Sequence, residues 1–322
     1  MRILITESEN FSSKALELLR QAGEVVAADL DRSGLESAVA GAEVLWVRLR
    51  HRIDRQLLDR APELKVVVSP TTGLNHIDTE ELSRRGIALL SLRGETAFLR
   101  NVRATAELTV GLMLGLLRHL PEAAAHARGG GWTRDLFRGG ELYEKTVGIV
   151  GYGRLGRLVA RYLLAFDCRV LAADPNVEAD AVEPGVALVE LDRLLAASGI
   201  VSLHVNLTDQ TAGFFGARQF EAMQPGALFI NTARGELVDE RALLAALETG
   251  RLAGVALDVL TGESSTGMSG HPLVRYANQN NNMILTPHIG GCTLESMSKT
   301  EEFLAGRLAQ HLTSRLSAAV TV

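Results

Sequence analysis

The sequence predicts an α/β protein of two doubly wound parallel-sheet domains. Three observations predict it. The chain has 322 residues, too many for one ordinary domain and about right for two. Short apolar runs alternate with amphipathic segments along most of its length, as parallel strands alternate with covering helices. One of these runs, Val147-Gly148-Ile149-Val150, feeds straight into Gly151-Tyr152-Gly153-Arg154-Leu155-Gly156, a glycine-rich turn before a helix-like segment.

Composition narrows the class. Apolar residues make up 47% and charged residues 22%, a globular balance. The net charge of -5 gives no nucleic-acid or membrane surface, and no apolar run is long enough to span a bilayer. The expected partner is a small molecule, with no nucleic acid and no membrane. Met1-Arg2-Ile3-Leu4-Ile5-Thr6 reads as a first strand and lacks the apolar core of a signal peptide. Cys168 and Cys292 have no metal-ligand spacing; no metal is expected, and they read as reduced thiols of a cytoplasmic protein.

In the first series, strands are expected at Ile3–Ile5, Val25–Ala27, Val44–Val47, Val66–Val68 and Ile87–Leu90, with helices such as Ser13–Gln21 and Thr79–Arg84 between them. This resembles a small flavodoxin-like α/β domain. A long Leu- and Ala-rich helix is expected over Ala104–Ala127. Gly111 and Gly115 suggest close packing on another helix, and Pro121 a bend or break. The second series places strands at Val147–Val150, Arg169–Ala173, Ile200–His204, Ala227–Ile230 and Gly254–Leu257. Gly262–Asn282 reads as a polar loop, Met283–Thr286 as a last short strand, and Leu294–Ser314 as a final helix that returns to the first domain.

The glycine turn carries the first chemistry. Gly151 permits the tight turn, Gly153 lets a pyrophosphate approach the backbone, and Gly156 lets the helix pack on the strand. The N–H groups at the helix start then face an anion. Asp174 closes the next strand, where an acid holds a ribose hydroxyl and disfavours a 2′-phosphate, so NAD is the expected cofactor. Three later side chains lie just beyond strand ends, where ligands of open α/β sheets bind: Arg234 in Asn231-Thr232-Ala233-Arg234-Gly235, Glu263 after Asp258, and His288 between Pro287 and Gly290. Arg grips a carboxylate through a planar fork and polarises the adjacent carbonyl. His exchanges the hydroxyl proton near neutral pH, and a carboxylate beside it favours the charged ring. The set suits hydride transfer between a nicotinamide and a 2-oxo acid.

With these motifs the chain resembles the D-isomer-specific 2-hydroxyacid dehydrogenase family over nearly its whole length. The likeness rests on Gly151–Gly156 with Asp174, Asn231–Gly235, Leu237–Glu240, Asp258–Glu263 and Thr286–Gly291. It implies a Rossmann cofactor domain over 99–289, inserted in a split flavodoxin-like substrate domain over 1–98 and 290–322. It implies Arg234, Glu263 and His288 as the catalytic residues. It places NAD against Gly151, Tyr152, Gly153, Arg154, Leu155, Gly156, Asp174, His204, Thr232, Ala233, Asp258 and Gly290. Ser69–Asp78 resembles the loop whose N–H groups meet the substrate carboxylate, through Thr72, Gly73 and Leu74. Val47–Arg50 resembles the segment that sets a cation near a charged substrate tail, through Arg48 or Arg50. A homodimer through the cofactor domain is implied.

The chain departs from the family pattern at Ser264, where Pro is common, at Arg93–Arg100 before the long helix, and at Leu108, where His is frequent. After Gly291 only a helix and a short tail are expected, with no regulatory domain. The function expected is interconversion of a 2-oxo acid and a D-2-hydroxy acid, with a phosphate or phosphonate tail one version of the substrate. Two alternatives stay open: a same-fold dehydrogenase acting on a phosphonate or aldehyde, and a non-catalytic NAD(H)-sensing protein.

Overall fold

The computed structural model describes residues 1–263 and 267–320, with side chains through 314; Ser264 lies outside them. It divides into two compact units, Met1–Val102 with Cys292–Val322, and Arg103–Gly291.

The first unit runs β1 (Arg2–Ile5), α1 (Ser13–Ala22), β2 (Glu24–Ala27), α2 (Arg32–Ala38), β3 (Val44–Trp46), α3 (Arg55–Leu58), β4 (Val66–Ser69), α4 (Thr79–Arg84), β5 (Ala88–Ser91) and α5 (Thr96–Leu99). Local chemistry starts its helices. The side chains of Ser12, Asp31, Asp54 and Asp78 each accept an N–H from the first turn of α1, α2, α3 and α4. The strands are all parallel in the order β2-β1-β3-β4-β5, a flavodoxin-like sheet. Leu35, Leu57 and Val67 pack one face, and Ile3, Leu19 and Trp46 the other.

The second unit begins with α6 (Ala104–Leu117) and α7 (Leu120–Arg128). There follow β6 (Thr146–Val150), α8 (Arg154–Ala165), β7 (Arg169–Ala173), β8 (Val186–Leu188), α9 (Leu191–Ala197), β9 (Ile200–Leu203), α10 (Ala217–Ala222), β10 (Ala227–Asn231), α11 (Glu240–Glu248), β11 (Leu252–Leu257), α12 (Pro272–Gln279) and β12 (Met283–Leu285). The seven strands order as β12-β11-β10-β9-β6-β7-β8. This is the Rossmann order with one extra strand, and direction of winding reverses between β6 and β9. Finally α13 (Leu294–Val320) returns to the first unit, where Leu304 and Leu308 join the α1 face and Phe303 stacks on Phe98 at 4.0 Å.

The break expected near Pro121 is present: α6 stops at Leu117, His119 takes a left-handed backbone, and Pro121 opens the first turn of α7, where its missing N–H costs nothing. The structure differs from the sequence reading at α5, β8 and α12, and at the packing of Gly115. Gly115 lets β12 come close rather than a helix; a Cβ there would sit 3.0 Å from the Ile284 side chain. The polar loop holds α12, and β8 joins the sheet edge. Arg93–Arg100 contains α5, whose Leu99 is buried and whose neighbour Glu95 pairs with Arg307, so its composition answers to α13. Leu108 packs against the α6–α8 core.

Candidate active site

The glycine turn lies where the sheet's winding reverses. Gly151 has φ +90°, and a Cβ there would sit 2.8 Å from the His204 backbone at the end of β9. Only glycine fits both constraints. A Cβ on Gly156 would lie 2.2 Å from the Gly151 carbonyl oxygen, so its absence sets the packing of α8 on β6. Above Gly153 the reverse holds: a Cβ would meet nothing within 4 Å. Gly153 also caps α8 without a side-chain hydrogen bond, which leaves the first N–H groups of that helix for an anion. Asp174 at the end of β7 accepts the Tyr152 N–H on Oδ2 (2.8 Å) and the Asn176 N–H on Oδ1 (2.9 Å). Each oxygen retains capacity for a ribose hydroxyl. This open cradle, with its acid fixed by the backbone, fits a dinucleotide.

Arg234, Glu263 and His288 follow β10, β11 and β12, neighbouring strands of the same sheet. The Asn231 side chain shapes the arginine turn, accepting the Ala233 N–H (2.9 Å) and donating to the Arg234 carbonyl (2.8 Å). Burial pushes the Arg234 guanidinium down from its ordinary pKa, and the charges of Glu263 and Glu236 oppose that. His288 Nδ1 pairs with the Glu263 carboxylate, which leaves Nε2 as the nitrogen for substrate. Glu263 thus pairs with the imidazole and acts on the guanidinium through its charge. His288 sits at φ +54°, a left-handed backbone that costs a non-glycine residue roughly 1–3 kcal/mol and persists only where its surroundings hold it.

Residues 110–290 match the family described as D-isomer specific 2-hydroxyacid dehydrogenase, NAD binding domain. The chain belongs to this family. The matched segment is the family's NAD-binding part, and NAD is its cofactor. The D-3-phosphoglycerate dehydrogenase of Archaeoglobus fulgidus is 36% identical over 92% of this chain and 54% of its own. The glyoxylate reductase of Thermofilum pendens is 34% identical over 95% of this chain and 84% of its own. D-lactate dehydrogenase from Aquifex aeolicus, solved with NAD and lactic acid, superposes with a TM-score of 0.84 at 26% identity, covering 98% of this chain and 97% of that one. The chain spans about half the length of the curated phosphoglycerate dehydrogenases it matches.

Several of the residues expected to meet ligand also carry internal bonds. The Tyr152 ring is fully buried, its hydroxyl donates to Glu183, and Arg157 lies over it at 4.6 Å, so that side chain does not face the cradle. The Thr232 hydroxyl bonds the Thr109 hydroxyl (2.8 Å), which itself donates to the Thr105 carbonyl (2.7 Å). The Ala233 N–H goes to Asn231, and the Gly290 N–H to Asp258 Oδ2 (2.8 Å). Asp258, 1% exposed, also accepts the Thr286 hydroxyl (2.6 Å) and the Ile289 N–H (2.8 Å) on Oδ1. Burial raises its pKa, opposed by those hydrogen bonds and by His288. His204 accepts or donates at Nε2 with Ser202 (2.9 Å), its Nδ1 is buried without a hydrogen-bond partner, and burial pushes its pKa down to about 4. Gly153 is exposed, Arg154 and Asp174 are part-buried, and the part-buried Leu155 packs on the core.

In the first unit, the Ser69–Asp78 loop follows β4. Thr71 donates to the Gly73 carbonyl (2.8 Å) and meets Ser69 (2.9 Å), while the N–H groups of Thr72, Gly73 and Leu74 donate to no other protein group among the described residues. The Arg48 guanidinium donates to the buried Glu301 of α13 (2.5 Å) and to the Glu9 carbonyl (3.1 Å). Arg50 is exposed and only loosely paired with Asp29 at 3.7 Å. A cavity of about 800 Å³ opens at the opposite, amino-terminal edge of the second sheet, beside Leu116, Lys145 and Asn282, and holds none of the residues singled out by sequence. Cys168 is buried and Cys292 exposed, both free thiols. No described helix is long and apolar enough to cross a membrane.

Gly235 is the contributor that motif reading undervalues. A Cβ there would lie 2.1 Å from the Leu260 carbonyl carbon and 2.3 Å from the Thr261 nitrogen. Its absence lets the segment leading to Glu263 lie directly on the arginine turn. The signal was available: a glycine directly after the arginine.

Proposed function

We propose that the chain is an NAD(H)-dependent dehydrogenase interconverting a 2-oxo acid and a D-2-hydroxy acid. The observation that carries this reading is the His288–Glu263 pair, with Arg234 after the neighbouring strand of the same sheet, where the Glu263 charge acts on it. In the reductive direction Arg234 grips the substrate carboxylate and polarises the neighbouring carbonyl. His288 gives a proton to the carbonyl oxygen from Nε2 while Glu263 holds Nδ1 and stabilises the charged ring. Bound NADH supplies the hydride to the carbonyl carbon. The α8 amino terminus with Gly153, Arg154 and Leu155 would hold the pyrophosphate, and Asp174 the ribose. In the first unit the N–H groups of Thr72, Gly73 and Leu74 are the anion-accepting groups.

The short unphosphorylated acids are the better substrate class on this reading, because Arg48 is already neutralised by Glu301 and a phosphate tail would be left to Arg50. The named relatives span both kinds, a phosphoglycerate dehydrogenase and a glyoxylate reductase. A homodimer through the second unit is supported by large apolar side chains exposed on its α7–β6 segment, among them Trp132 at 92% and Leu136 at 66%. The free thiols suit a reducing compartment such as the cytoplasm.

The test follows nicotinamide absorbance with NADH and a panel of glyoxylate, hydroxypyruvate, 3-phosphohydroxypyruvate, phosphonopyruvate and branched 2-oxo acids. Turnover is expected, fastest with glyoxylate or hydroxypyruvate. His288→Ala should cut kcat by about 10²–10⁴-fold while NADH still binds. Absence of turnover with every acid, or a His288→Ala variant near wild type, defeats the reading.

A further inference from the structure

We infer that Asp258, together with Thr286, is a positioning residue that fixes the catalytic histidine, rather than chiefly a cofactor contact. The inference rests on the reading of His288 as the proton donor. Four bonds tie Asp258 to the segment carrying that histidine: its carboxylate accepts from Thr286 Oγ1, Ile289 N and Gly290 N, and its carbonyl accepts the His288 N–H at 2.8 Å. A left-handed residue needs such a frame. Left to itself, His288 would relax to an ordinary backbone and swing its ring away from Glu263. On its other side the Asp258 N–H donates to the Asn231 carbonyl (2.9 Å), and Asn231 holds the Arg234 turn through its side-chain amide. One buried carboxylate therefore registers the histidine loop against the arginine loop.

The chemistry requires an acid at this place. All three groups facing the carboxylate are donors, so an amide would present its own N–H₂ to at least one of them, and a shorter or apolar side chain would leave buried N–H groups unpaired. Thr286 separates the two roles. Its hydroxyl bonds Asp258 Oδ1 and carries no proposed cofactor contact, so its removal loosens the loop alone.

The experiment compares Thr286→Val, Thr286→Ser and Asp258→Asn with wild type, using NADH and the best acid of the panel. Melting temperature and NADH binding by fluorescence report the fold. Thr286→Val should lower kcat by about 10- to 100-fold with KM for NADH changed less than about threefold, the loss expected from a misplaced catalytic group. Thr286→Ser, which keeps the hydroxyl, should restore kcat to within about threefold of wild type. Asp258→Asn should lose more kcat than Thr286→Val. An active wild type with Thr286→Val indistinguishable from it, or with Asp258→Asn changing only KM for NADH, overturns the positioning role and leaves the proposed reaction standing. Absence of turnover in the wild type overturns the reaction, and the positioning role with it.

Discussion

Gly235 shows how much a missing methyl group can decide. The Leu260–Thr261 backbone occupies the place its Cβ would take, and Glu263 stands two residues beyond Thr261. In Gly235→Ala that backbone must retreat, because a peptide unit cannot rotate aside as a side-chain tip can. Overpacking of this kind costs roughly 1–3 kcal/mol. The expected outcome is a kcat lower by about 10-fold or more, since Glu263 moves with the displaced segment and loses its registration on His288. Steady-state kinetics and a melting curve on the same sample check it; a variant with wild-type kcat removes the claim that this contact seats Glu263.

At the scale of elements, what sequence made legible was what burial repeats. Ile3–Ile5 and Val66–Val68 are strands buried on both faces, and such strands read as continuous apolar runs. The glycine turn was legible because Gly151 and Gly156 each answer a steric demand, while Gly153 leaves the start of α8 open. The misses share a cause too. The strand β8 is three residues long, and α12 buries only Leu273, with its amino end capped by the His271 ring rather than a customary Ser or Asp. Both are short, and α12 lies within a polar stretch. The pairing of Arg48 with Glu301, 253 residues away, was not legible, because pairing at that separation leaves no mark in local sequence. The return of α13 was legible from order alone, but its grip is in packing. Leu308 is fully buried against the α1 face of the first sheet. Leu308→Ala should destabilise the protein by about 2–5 kcal/mol, as other buried leucine truncations do. Urea unfolding followed by circular dichroism measures it, and a loss below about 1 kcal/mol would mean that α13 contributes little to the first unit.

For the whole molecule, buried titratable groups set how stability follows pH. Burial holds the folded-state pKa of His204 near 4, below its ordinary 6.5. The unfolded chain therefore takes up a proton on this residue before the folded chain does. Its contribution is complete above about pH 6.5 and is lost as pH falls toward 4, at no more than about 1.4 kcal/mol per pH unit. Glu7 and Glu301 work in the opposite sense. Burial raises both, so the folded state holds their protons more tightly and their share of stability declines as pH rises. The net slope mixes these effects, and a variant separates them. His204→Asn cannot titrate, and its amide can still bond Ser202, so the stability gap between wild type and variant should narrow steadily from pH 7 to about pH 4.5. Urea unfolding of both proteins without NAD across that range decides the matter. A gap that stays constant with pH would mean that His204 titrates alike in the folded and unfolded chain, and the withdrawal of its ring from water at the strand-reversal point would then have no energetic consequence.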